Sequence, residues 1–473
     1  MDGLECSEIP ISQVRQYEPF RIDSHFFEKK YRKLKYTLAA LSCSQLKDLV
    51  TKTIQTGHTP SMAVDSYYGG GIALIKTDNL RDNSIGTLFS DYLTAEGNAV
   101  IFRTSLASKD IITTIIGATE QIIARSAIVT EEYLPANINQ NIVQIRINPQ
   151  KAAPEYINTY LNTKYGKQYL IYMSRQTEQY NLNCKEVESV VVPILSDRFQ
   201  EEIVQVVNKA QSHQSSSRLL YQKAEAVLVA ALDIQATEQE RPVLSVKHIS
   251  ESFLKSGRLD AEYYQPKYEA IAQKLNTNET VFSLCKLYDK NFVPQEKESY
   301  QYIELADVGQ SGDISAVDIQ YGSDLPTRAR RIVKAGQIIV SSVEGSLQSC
   351  ALISDEYDGA LCSTGFYVLD SDCINSETLL VLFKSEPIQA LMKQRCSGTI
   401  LTAISKDELL SMPLPMIDED IQKVIAAKVQ ESFALRKQSK QLLEYAKQAV
   451  EMAIEQGEEA ALGWLKDKVS ACE

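Results

Sequence analysis

The feature that most limits what this chain can fold into is an internal repeat. Residues 21–31 read RIDSHFFEKKY and residues 258–268 read RLDAEYYQPKY. Four of the eleven positions are identical, and three more (Ile22 with Leu259, Phe26 with Tyr263, Phe27 with Tyr264) exchange within one chemical type. The match continues downstream. KDIITTIIGATEQ at 109–121 faces GQIIVSSVEGSLQ at 336–348, AIVTEEY at 127–133 faces ALISDEY at 351–357, and VPILSDRFQEEIVQVV at 192–207 faces LPMIDEDIQKVIAAKV at 414–429. The offset falls from 237 to 222 along the way, so the second copy is 15 residues shorter between matched blocks. A repeat of this size means one supersecondary plan used twice, with differences pushed into loops.

Each copy has the same internal order. A short helical opening (21–35 and 258–275) leads into a body in which Val, Ile and Tyr alternate through AVIFRTS, NIVQIRI, GQIIVSS and TGFYVLD, as in strands. Each copy then closes in a long helix. The first begins after Pro193 with Ser196 and Asp197, and Leu220, Ala224, Val227 and Ala231 step by 4, 3 and 4. The second begins at Asp418–Asp420, which suits the positive end of a helix dipole, and Leu442, Ala446, Ala449 and Ala453 continue the same spacing. These are heptad seams, and their alanines let two helices approach closely. QSHQSSS at 211–217 interrupts the apolar pattern of the first helix and reads as its most exposed stretch. The expected architecture is α/β (α+β): two duplicated α/β domains, 1–195 and 241–416, separated by long helices at 196–240 and 417–473 that form an antiparallel coiled coil with a pseudo-two-fold axis.

The 473 residues suit two to four domains. No apolar run is long enough to cross a membrane, and the N-terminus lacks the basic-then-apolar order of a signal peptide. Nine scattered cysteines with no Cys-x-x-Cys pair read as free thiols in a reducing cytoplasm, and the trio Cys350, Cys362 and Cys373 lacks metal-ligand spacing. Net charge is −12, but residues 1–195 hold 20 basic and 20 acidic side chains. Attraction to phosphate must therefore come from local patches or from a partner. Phosphate loops, Gly-x-Ser-x-Gly and His-Glu-x-x-His are all missing, as is an Asn/Asp-Pro-Pro-aromatic methyltransferase motif. Gly69–Gly71 reads as a turn, not a phosphate cradle.

Several blocks together resemble the specificity (S) subunit of type I restriction-modification systems: RLDAEYYQPKY, the strand-turn GQIIVSSVEGS, YLNTKYGKQYL ahead of VVVPIL, and the proline-to-Gln200 helix start repeated at LPMIDEDIQ. The resemblance lies in the order of the blocks and covers nearly the whole chain. It implies two target recognition domains, each reading one half of a bipartite site on double-stranded DNA, and a chain that catalyses nothing. It also implies two adenine methyltransferase subunits docked on the helices, which would carry S-adenosylmethionine, and ATP-dependent restriction subunits added for cleavage. The stretch EMAIEQGEEAALGWLKDKVSACE runs past the point where the first helix ends. It reads as a partner-docking extension, or as the mark of a relative serving another methylation-based phage-defence system. A protein scaffold that does not bind DNA is the rival from a different class.

Candidate DNA contacts are chosen for side chains able to grip base edges, Arg for guanine and Asn or Gln for adenine. In the first domain they are Lys76, Asn79, Arg81, Asn83, Arg175, Gln176 and Asn181. In the second they are Arg328, Arg330, Arg331 and Lys334, with Lys393, Arg395, Ser397 and Thr399 matching the turn from Arg175 to Asn181. The basic run KKYRKLK at 29–35 reads as a solvated helix face ahead of a phosphate rail. The seam residues Leu220, Ala224, Val227, Ala231, Leu442, Ala446, Ala449 and Ala453 are expected to make up the partner-binding helices.

Overall fold

Each half of the repeat closes a core of its own. The structure, a computed structural model, describes residues 8–15, 21–23, 25–86, 89–176, 178–233, 246–250, 252–309, 311–314, 317, 319–398 and 402–471. It divides into two compact units: the chain up to His213 together with Lys437 onward, and Gln214–Arg436. Its principal helices are α1 (Lys29–Ala39), α2 (Pro154–Asn162), α3 (Lys164–Met173), α4 (Asp197–Leu232), α5 (Pro266–Leu275), α6 (Ser376–Lys384), α7 (Glu386–Arg395), α8 (Glu419–Gln456) and α9 (Glu458–Ser470).

The two units repeat one sheet. In the first, antiparallel strands run in the order Gln55–Thr56, Ile142–Ile145, Ile111–Thr114, Ser126–Ile128. In the second the order is Lys286–Tyr288, Phe366–Asp370, Ile338–Ser341, Cys350–Leu352. The central strands Ile111–Thr114 and Ile338–Ser341 are buried at every position. That is why they read as unbroken β-branched runs, not as alternating ones. A smaller mixed sheet also recurs. Ala136–Ile138 lies parallel to Tyr68–Ile75, and Leu361–Ser363 lies parallel to Ser299–Ile303. With most pairing antiparallel and the helices segregated, each body is α+β. The glycine run is a correction to the turn expected there. Gly69–Gly71 lies within strand Tyr68–Ile75, at a register shift between Tyr68 and Ile72. A Cβ on Gly70 would stand 2.3 Å from the Leu93 carbonyl oxygen, so the neighbouring strand requires glycine there.

The eleven-residue repeat opens as an anchor and ends as the first turn of a helix, α1 or α5. Residues 21–23 and 258–260 lie ahead of α1 and α5. The Arg21 guanidinium donates from Nε and Nη2 to the two Asp23 oxygens, at 2.9 Å each, and from Nη1 to the Met173 carbonyl at 2.7 Å and Nη2 to the Ser174 carbonyl at 2.8 Å. Arg258 donates to Asp260 at 2.7 and 3.0 Å and to the Cys396 carbonyl at 3.0 Å. Each guanidinium also covers a ring, Phe26 at 4.3 Å and Tyr263 at 4.4 Å. Carbonyls left over at the C-terminal end of a helix need donors, and a fork held planar by its own carboxylate supplies them.

A second repeated clamp fixes each long helix to its body. Gln200 accepts from the Ala153 amide at 2.9 Å and donates to the Leu195 carbonyl at 2.9 Å. Gln422 accepts from the Asn375 amide at 2.8 Å and donates to the Ile417 carbonyl at 2.9 Å. Both amides therefore tie the start of the long helix to the start of α2 or α6.

The long helices run antiparallel. Within the first unit, partners fall from Glu458 at the start of α9, bonded to Ser196 just ahead of α4, to Ser439 on α8, bonded to Ala210 on α4. The observed seam on α4 is Phe199, Ile203, Val206, Ala210, Ser217, Tyr221, Ala224 and Leu228, all buried. On α8, Leu442, Ala446, Ala449 and Ala453 are buried, as the spacing predicts. The predicted stripe on α4 is displaced by one position. Leu220 and Val227 are only half-buried and Ala231 is exposed, so Ala224 alone of the four is fully buried. Both stripes have heptad spacing and share Ala224, and the true one contains a serine, which an apolar count passes over. Ser217 is also the exception to the exposure read into QSHQSSS. It is fully buried, and in the second unit the Ser432 hydroxyl donates to its carbonyl at 2.7 Å.

Candidate nucleic-acid interface

The predicted contact residues lie on loops, short strands and the end of α7, and the fold already employs several of them. In the first unit the Asn79 Oδ1 accepts from the Lys76 amide at 2.9 Å, and Asn79 is buried. The Lys76 ammonium is paired with Asp91, and that hydrogen bond holds the Asp91 carboxyl below the usual carboxylate range. Asn83 occupies the left-handed region at φ 59°, and its Oδ1 accepts from Asn158 and Asn162 at 2.9 Å each. These three side chains therefore build the loop. Arg81 is exposed and donates to the carbonyls of Asp78 and Leu80 at 3.0 Å.

A hairpin, Arg175–Gln176 with Tyr180–Asn181, lines up beside Ile116–Gly117. Its counterpart in the second unit is Cys396–Ser397 with Ala403–Ile404, bridged to Val343. Arg175 is half-exposed and paired with Glu186 at 2.9 Å, Gln176 is exposed, and Asn181 donates to the Gln179 carbonyl at 3.0 Å. Ser397 and Lys393 are exposed, while Thr399 lies outside the described residues. Arg395 turns inward. Its side chain is 13% exposed, 3.8 Å from Glu408, and burial lowers its pKa.

The basic cluster of the second unit straddles strand Ala329–Ile332. Arg331 donates to the Phe366 carbonyl and covers the Tyr367 ring at 5.4 Å, so it braces the strand from inside. Arg330 donates to the Thr327 carbonyl at 2.7 Å. Arg328 and Lys334 are exposed, with Glu304 3.9 Å from Arg328. The geometry thus leaves Arg81, Arg175, Gln176, Arg328, Lys334, Lys393 and Ser397 facing solvent, and gives Lys76, Asn79, Asn83, Arg331 and Arg395 internal partners. Sequence alone could not separate the sets, because partners such as Asp91 and Phe366 are remote in the chain.

Among the described residues no group of three or more His, Cys, Asp or Glu is placed to hold a metal ion. Burial pushes the Cys285 and Cys362 thiols up to about 12, which keeps them protonated. Among the described residues no helix is long and apolar enough to cross a membrane. The seam alanines of α8 are buried inside the first unit's core, so they present no surface to a second protein.

No family model matches the sequence. Over 139 residues the chain is 26% identical to the type I restriction enzyme EcoBI specificity subunit of Escherichia coli, an alignment covering 29% of this chain and 28% of that one. Over that stretch the chain is similar to a type I specificity subunit. The match spans little more than a quarter of that relative's length. Solved structures aligned with it include the HsdS subunit from Thermoanaerobacter tengcongensis (14% identity, 88% of this chain and 97% of that one, TM-score 0.30). Another is the type I restriction-modification S subunit from M. genitalium (11% identity, 90% and 95%, TM-score 0.33).

Proposed function

We propose that this chain is the DNA sequence-specificity subunit of a restriction-modification or related methylation-based defence complex. Each unit reads one half of a bipartite site on double-stranded DNA. The helices recruit adenine methyltransferase subunits, which carry S-adenosylmethionine, and restriction subunits where the system cleaves. The chain itself is non-catalytic and works in the cytoplasm. The observation that carries this reading is duplication with divergence. The anchors Arg21–Asp23 and Arg258–Asp260, and the clamps Gln200 and Gln422, recur with matching partners. The corresponding stretches RQTEQYN at 175–181 and SGTILTA at 397–403 do not match in their polar residues. A scaffold held constant beneath changing outer residues suits two readers of two different half-sites, because base contacts specify and phosphate contacts only position.

The test replaces residues 36–190 by the matching part of a relative and determines the methylated motif genome-wide. One half of the motif changes and the other is kept. Change in both halves, or methylation independent of the chain, contradicts the reading. The net charge of −12 favours a second reading, a scaffold that binds only proteins. Failure of the chain and its methyltransferase together to protect any DNA segment in a footprint would favour it.

A further inference from the structure

The two units differ most tellingly on the outer face of their leading helices. Helix α1 and helix α5 align at the same 237-residue offset as the anchors that precede them. Their inward faces agree: Tyr31 with Tyr268 and Leu38 with Leu275 are buried in both. Their outward faces do not. Arg32 stands where α5 has Glu269, Lys33 where it has Ala270, Lys35 where it has Ala272, and Tyr36 where it has Gln273.

Solvation alone does not explain α1. The helix carries five basic and no acidic side chains, whereas α5 carries two basic and one acidic. Like charges three and four residues apart repel, and lysines in a first turn oppose the helix dipole. Lys29 and Lys30 occupy that turn, which has no acidic residue, and Glu28 makes no side-chain cap. A local rule broken without structural gain marks a functional surface. Some of the charge is used internally. Lys30 pairs with Glu28 at 3.0 Å, and Lys35 lies 4.7 Å above the Tyr172 ring. Arg32 and Lys33 remain exposed, and Tyr36 is 73% exposed one turn on, on the same face. Glu455, whose carboxylate feels Lys33, is already paired with Lys164 at 2.5 Å.

We infer that the Arg32–Lys33–Tyr36 face of α1 grips the DNA phosphate backbone, giving the first unit a sequence-independent hold that the second lacks. This rests on the DNA reading above. Side chains spaced along one helix face contact successive phosphates, and each neutralised phosphate steepens the salt dependence of binding.

The test uses the full-length chain assembled with its methyltransferase and a duplex of mixed sequence, with binding followed across a salt titration. Arg32→Gln with Lys33→Gln should lower the slope of log K against log salt by about 1.8, from about 0.9 per phosphate contact. The unfolding midpoint should not move, and the charge-keeping pair Arg32→Lys with Lys33→Arg should retain the slope. Lys423→Gln with Lys437→Gln removes equal charge from exposed positions on α8 and should leave the slope alone. An unchanged slope in the α1 variant overturns the inference and returns α1 to a solvated face. An equal drop in the α8 control overturns it as a global charge effect. Unchanged DNA binding with loss of a co-purified subunit overturns it in favour of an acidic protein surface. Absence of duplex binding by the wild-type chain at every salt concentration overturns the DNA reading together with it.

Discussion

Arg436, buried on α8, is ion-paired with Asp313 in a loop of the second unit, and its Nη2 also donates to the Ser217 hydroxyl at 3.3 Å. One side chain thus joins both long helices to the body they support. Breaking a buried pair by removing one partner strands the other charge. Arg436→Ala is expected to destabilise the second unit by about 3–5 kcal/mol. Hydrogen exchange should locate the loss in Gln214–Arg436 and spare the first unit. A denaturation midpoint equal to wild type would show that the pair contributes nothing.

The glutamine clamps are expected to act locally. Gln200→Ala strands the half-buried amide of Ala153 and the buried carbonyl of Leu195, and Gln422→Ala strands the half-buried amide of Asn375 and the buried carbonyl of Ile417. Each should cost about 1–3 kcal/mol. Amide exchange is the readout: the Ala153 amide should lose protection in the first variant only, and the Asn375 amide in the second only. Equal loss at both amides in one variant would contradict local action.

The arginine anchors make stability depend on pH in a stated direction. Burial opposes ionisation of Asp23, yet the Arg21 guanidinium outweighs it and holds the carboxyl below its ordinary value. For Asp260 the hydrogen bond from Arg258 is the leading cause of the same depression. A carboxyl depressed on folding adds stability that is complete above its unfolded pKa, about 4, and is lost as pH falls through the folded value. Asp23→Asn and Asp260→Asn should therefore lower the melting temperature at neutral pH and flatten its decline below about pH 4. A decline as steep as wild type would assign acid sensitivity to other carboxylates.

The C-terminal helix is expected to be part of the first unit and not a free docking arm. Glu458 accepts from the Ser196 amide at 3.0 Å, Glu459 pairs with Arg198 at 3.0 Å, and Leu462 and Leu465 are buried in the first core. Leu462→Ala should cost about 2–5 kcal/mol. Ending the chain at Gln456 should loosen the first unit and leave exchange in the second unchanged. Full stability of the truncated chain would make the helix dispensable for folding.

Much of this architecture was legible because repetition is a linear property. The offset from Arg21 to Arg258 and from Gln200 to Gln422 located two bodies and two helix starts. The heptad spacing of Leu442, Ala446, Ala449 and Ala453 placed a buried stripe on the correct face of α8. Local periodicity carries such information because a helix brings residues three and four apart onto one face wherever it occurs. Apolar counting failed on α4, where Ser217 is buried at a close helix approach and satisfied by Ser432. Polarity argued for exposure, and a partner 215 residues away reversed the outcome.

The same division runs through the candidate interface. Residue type alone determined which side chains can grip a base or a phosphate. Only the tertiary structure decided which remain available. Asn83 and Arg331 have the right chemistry, but Asn158 and Asn162 engage the first and the Phe366 carbonyl engages the second. Arg32 and Lys33 sat in a run that reads as ordinary helix surface, and folding set them beside no ion-pairing partner among the described residues. The physical reason is the same in each case. A polar side chain is committed by whichever group the fold carries to within about 3 Å of it, and that neighbour is seldom adjacent in sequence.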